Sequence, residues 1–156
     1  TPMNNKNAFH PDNPIFSKES VKGVTLTRTD ERDGNLSFEG LSFQVNGQTN
    51  AFVKIMYRDS QKTAQLDLLE DLAGNPLTLR VTLDMYVKVP DGPGDLCIVG
   101  KVKPKPGKTI GESTGYVYFT RANIRVSVIS DVPEISAMEV ARKVDKILIE
   151  AIQKAK

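Results

Sequence analysis

Between Leu77 and Val89 the chain reads LTLRVTLDMYVKV, and every odd position is apolar: Leu77, Leu79, Val81, Leu83, Met85, Val87 and Val89. The even positions Thr78, Arg80, Thr82, Asp84 and Lys88 are polar, and Tyr86 alone departs from the pattern. Side chains of a strand alternate between two faces, so this run predicts a long strand with one face on a core and one toward water. Wound as a helix, the same residues would scatter around the axis and give no continuous apolar stripe. The chain is therefore expected to build a sheet, and that sheet needs something to cover it.

Shorter alternating runs supply more strands. GVTLTRT leads through DERDGN, where Asp33-Gly34 offers a hairpin turn, into LSFEGLSFQV. Ala51 to Arg58 alternates, DLCIVG is short and apolar, and GYVYFTRANIRVSVIS reads as two strands around a tight turn at Arg121-Ala122. Residues 63–73 are ambiguous. Leu68, Leu69, Leu72 and Ala73, with Gly74 and Pro76 behind them, fit a helix with a stop. Ala64, Leu66 and Leu68 fit a strand that turns directly into Leu77, and on that ground the strand is preferred.

After residue 135 the period changes. Ala137, Val140, Ala141, Val144, Ile147, Leu148, Ala151 and Ile152 fall on one helical face. Ser136 and Glu139 have the spacing of a capping box, and Ile135 with Val140 that of a hydrophobic staple. The expected fold is α+β: a predominantly antiparallel sheet with one amphipathic C-terminal helix packed on it. Curling into a partial barrel or a sandwich is the alternative to one open sheet. Residues 1–14, with three Pro and four Asn, read as a polar N-terminal tether or arm, and 15–156 as a single domain.

Composition narrows the function classes. A net charge of +2 is too small to argue for nucleic acid or an anionic membrane without local clustering. No run approaches the roughly 18 apolar residues of a membrane-spanning helix. Cys97 is the only cysteine and His10, in the arm, the only histidine. A catalytic His, a Cys-His pair or a zinc site of the usual kind is not expected, and no cofactor or metal is implied. Cys97, between Leu96 and Ile98, reads as a core thiol. Asp67 and Asp84 form a carboxylate pair only if 63–70 and 77–89 make a hairpin, and then on its polar face.

Lysines do cluster. GKVKPKPGKTIGESTG, residues 100–115, carries the glycine, lysine and threonine of a phosphate-binding loop. Six residues separate Gly100 from Gly107 where four are required, Pro104 and Pro106 have no N–H to donate, and IGESTG does not start a helix. What remains is a stiff connection bearing Lys101, Lys103, Lys105 and Lys108. With Arg121 and Arg125 these are the candidate anion-binding residues. TGYVYFTR partly matches an RNA-recognition signature at Gly115, Tyr116 and Tyr118, but Thr114, Val117 and Phe119 break it. The simpler expectation is Val117 and Phe119 inward, with Tyr116 and Tyr118 on the wetter face. The acid-and-glycine turns DERDGN, EDLAGN and DGPGD do not fit a calcium loop and are explained by turn chemistry.

The last quarter, an Arg-x-Asn hairpin turn followed by a capped AxxVDKIL helix, is similar to small accessory domains of bacterial secreted proteins and lipoproteins. No site residue is carried over from that resemblance. The start of the chain at Thr1 reads as a trimmed N-terminus, and a periplasmic or extracellular location is favoured over a cytoplasmic one. The expected function is a non-enzymatic binding or structural domain whose partner is another protein or an anionic polymer. The alternative is a polyanion-binding module for nucleic acid, glycan or lipid headgroups, built on residues 101–108.

Overall fold

The computed structural model describes residues 8–16, 24–32, 35–45, 48–74, 87–100, 115–130 and 135–156. Its elements in chain order are β1 (Val24–Arg32), β2 (Asn35–Val45), β3 (Gln48–Tyr57), α1 (Gln61–Gly74), β4 (Val87–Lys88), β5 (Leu96–Gly100), β6 (Gly115–Arg121), β7 (Ile124–Ser130) and α2 (Ala137–Lys154). All strand pairs are antiparallel, in the order β1-β2-β3-β7-β6-β5-β4. Five strands, β2, β3, β7, β6 and β5, form the body, with β1 and the two-residue β4 at its open edges. The sheet is not closed into a barrel. Of the long alternating run, Val87 and Lys88 pair with β5, and Leu77 to Tyr86 lie outside the described residues.

Alternation sets the two faces. Leu41, Ala51, Val53, Ile55, Tyr57, Cys97, Val117, Phe119, Ile124, Val126 and Val128 point one way and are buried. Across this face lies α2, burying Ala137, Val140, Ala141, Val144 and Leu148, as its stripe requires. Ser136 caps the helix: its side chain accepts from Glu139 N at 3.3 Å. Among the described strands, α2 packs chiefly on β6 and β7. The β2–β3 half of the face is covered instead by residues 8–16, whose Phe16 is fully buried and whose Phe9 and Ile15 pack on the same cluster.

The opposite face departs from the expectation of a single helix. Residues 61–74 are helix, not the strand preferred on sequence. Ser60 caps it, accepting from Thr63 N at 3.1 Å, and Ala64 N bonds to Ser60 O at 3.0 Å. Ala64, Leu68 and Leu72, four apart, are buried, while Leu66 and Leu69 are each 47% exposed. A strand would have placed Leu66 with Leu68 and left Leu72 without a role. The helix lies over Tyr116 and Tyr118, whose rings stack at 6.0 Å. These tyrosines are therefore buried beneath α1 rather than on a wet face. Val117 and Phe119 point inward as expected.

The helical assignment has a direct check in urea denaturation. Leu68→Ala is expected to lower stability by about 3 kcal/mol and Leu66→Ala by less than about 0.5 kcal/mol. A strand would make the two costs alike.

Candidate functional site

Two charged residues occupy positions where the local period calls for apolar ones. Glu39 alternates with Leu41 and Phe43 on the α2 face of β2, opposite Ile55, and is fully buried. Asp145 follows Ala141 by one turn of α2 and is also buried. Each organises a polar assembly.

Around Glu39, Tyr57 Oη donates to Oε2 at 2.5 Å and Phe16 N donates to Oε1 at 3.3 Å. Burial raises the Glu39 carboxyl above its ordinary range, against the lowering effect of these donors. Burial and the Glu39 charge together push the Tyr57 hydroxyl upward. The arm that supplies Phe16 is fastened at its other end by Asn123. Phe9 N donates to Asn123 Oδ1 at 2.8 Å, and Asn123 Nδ2 donates to Phe9 O at 2.9 Å and to Arg58 O at 2.7 Å. Leu36 N donates to Pro11 O at 3.3 Å, and the Phe9 ring meets Tyr57 edge-on at 6.2 Å. One asparagine thus joins the arm, the end of β3 and the β6–β7 turn.

Around Asp145, Arg121 binds bidentately, Nε to Oδ1 at 2.8 Å and Nη2 to Oδ2 at 2.7 Å. These bonds raise the guanidinium further above its ordinary value. Arg121 Nη1 also reaches Asp95 Oδ1 at 3.3 Å, and Asp95 Oδ2 accepts from Ala122 N at 2.6 Å. Gly94 N donates to Asp145 Oδ2 at 2.9 Å. A Cβ at Gly94, where φ is +77°, would lie 2.2 Å from Thr120 O, so only glycine fits this crossing. The DGPGD turn is a clamp between α2 and the β6–β7 hairpin.

Of the sequence-derived anion candidates, only Arg121 and Arg125 fall among the described residues, and these two are not brought together. Lys101, Lys103, Lys105 and Lys108 lie outside the described residues. Arg121 faces α2 and Arg125 faces α1, on opposite sides of the sheet. Arg125 is buried and paired with Asp71 of α1, and its charge is disfavoured by burial and then by nearby Arg58. Arg58 is paired with Asp67 at 2.5 Å. Asp67 therefore belongs to a helix–sheet ion pair and not to the hairpin pair with Asp84, a residue outside the described set. Arg125 Nε and Thr120 Oγ1, on register partners of the α1 face, are buried with no hydrogen-bond partner among the described residues.

Cys97 is buried against the α2 core, and burial pushes its thiol up to about 11. Among the described residues no three His, Cys, Asp or Glu side chains converge on a metal position, and no helix is long and apolar enough to cross a membrane. No protein-family model, curated protein or solved structure matches the chain.

The sequence signal for Glu39 is an acid in step with Leu41 and Phe43 in the β2 alternation. Asn123 gave only a turn signal.

Two substitutions test the Asp145 assembly by denaturant titration. Asp145→Asn keeps the shape, removes the charge, and is expected to cost about 2 kcal/mol. Ala122 holds φ at 51°, a left-handed conformation, so Ala122→Gly is expected to add about 0.5–1 kcal/mol.

Proposed function

We propose that this chain is a non-enzymatic binding or structural domain of an exported protein. The observation that carries the reading is the use of its buried polar groups. Glu39 and Asn123 fasten the arm, Asp145 clamps a hairpin to α2, and Arg125 ties α1 to the sheet. Each joins two segments of the chain, which is how a scaffold spends such groups rather than how a reaction centre presents them. Among the described residues the large apolar side chains that stand about half exposed, Phe52, Leu66 and Leu69, all lie on the α1 side, where a protein partner would meet them.

The alternative, a polyanion-binding module, draws on the connection between β5 and β6. Gly100 pairs with Tyr116, so both ends of residues 101–114 are held at the same end of the sheet. Four lysines fall within residues 101–108 of that connection. With Arg121 and Arg125 already matched by carboxylates, the lysines would carry that binding.

Chromatography on heparin separates the two. The scaffold reading expects elution at low salt, unchanged when Lys101, Lys103, Lys105 and Lys108 are all replaced by Ala. Salt-resistant retention that disappears in the quadruple variant would replace it with the polyanion reading. Thermal melting against metabolite and divalent-cation panels is expected to show no saturable stabilisation, and a ligand that gave one would reopen an enzymatic role.

A further inference from the structure

We propose that residues 8–16 form a proton-coupled strap, closed over the β2–β3 face while Glu39 carries a proton and loosened as Glu39 ionises. The geometry is specific. The strap packs on the β2–β3 half of the core face, and the one acid of β2, Glu39, sits under it on that face with no exposure to water. Glu39 meets the strap through the Phe16 N–H and meets the sheet through Tyr57, whose ring is in turn gripped by Phe9. Closing the strap is therefore the act that removes this carboxyl from solvent.

Glu39 is the carboxyl enclosed between the strap and the sheet. Its register partners are Thr29 on β1 and Ile55 on β3, and its neighbours along the α2 face are Leu41 and Phe43. From β3 it faces Tyr57, while Lys54 points from the other face of the sheet. From the strap it faces main-chain N–H groups, and the strap's own titratable residues are His10 and Asp12. From α2 the packed side presents apolar side chains and Asp145, whose charge is matched by Arg121. No cation among these compensates the Glu39 carboxylate.

A protonated carboxyl serves both contacts. Its carbonyl oxygen accepts from Phe16 N, and its O–H donates to Tyr57 Oη. An ionised carboxyl keeps two acceptors but bears an unpaired charge in an apolar site. The closed form thus holds its proton more tightly than the open form, in which Glu39 meets water. By linkage, closure is strongest in acid and weakens as pH rises above the ordinary carboxylate range, by at most about tenfold per pH unit.

Hydrogen exchange on the full chain reads this directly. The amides of Phe9 and Phe16 report the strap, and those of Val117 and Val126 report the core. Between about pH 5 and about pH 8 the strap protection factors are expected to fall by tenfold or more while the core factors hold. Glu39→Gln, which presents the same carbonyl and an N–H donor, is expected to keep the strap protected throughout. Tyr57→Phe removes the donor that steadies the charged form and is expected to deepen the fall. His10→Gln is expected to leave the profile unchanged. Strap protection that does not vary with pH in the parent chain, or a fall that survives Glu39→Gln or is abolished by His10→Gln, overturns the proposal.

Discussion

A sheet is wider than a helix, and most of this structure follows from that mismatch. Seven strands at about 4.8 Å spacing span roughly 30 Å, while a helix with its side chains covers about 10 Å. A single C-terminal helix cannot dry even one face. Here α2 is laid over β6 and β7, and an irregular stretch bearing Phe9, Ile15 and Phe16 completes that face over β2 and β3. The second face gets its own helix, α1, seated on Tyr116 and Tyr118 through Leu68 and Leu72.

Irregular chain makes a poor cover unless its main-chain groups are satisfied, because it has no internal ladder of its own. That requirement accounts for the polar residues at inward positions. Asn123 answers both the N–H and the C=O of Phe9, Glu39 answers Phe16 N, and Leu36 N answers Pro11 O. The same logic operates at Asp145, which accepts from the main chain at Gly94 as well as from Arg121. These polar groups are concentrated where chain without secondary structure crosses a packed layer.

Periodicity made the regular parts legible. The α2 stripe with its Ser136 cap and the 116–130 hairpin stand where the alternation and the turn chemistry put them, within a residue or so, while the Ala51–Arg58 strand begins three residues earlier, at Gln48. Residues 63–73 carry both periods, Ala64, Leu66 and Leu68 alternating while Leu68, Leu69 and Leu72 have helical spacing, and the deciding signal, Ser60 ahead of Thr63, is local and short. The wet face assigned to Tyr116 and Tyr118 failed for the same reason, since without α1 nothing would cover them. Long-range pairing was out of reach in another way. Nothing near Asn123 indicates Phe9, 114 residues away, because a hydrogen bond to a main chain leaves no trace in the partner's side chain.

The strand order also bears on how the chain is made. β3 hydrogen-bonds on one side to β2, its neighbour in sequence, and on the other to β7, which is translated some seventy residues later. Until β7 emerges, the nascent β1–β3 meander carries a bare edge along β3 and an uncovered apolar face at Val53 and Ile55. Neither the arm's seat at Asn123 nor the seat of α1 on β6 exists at that stage. The N-terminal half is thus a folding debtor to the C-terminal half, and assembly must wait for a closure of high contact order. Such a chain is most exposed to strand-edge aggregation during synthesis, before its last third has left the ribosome.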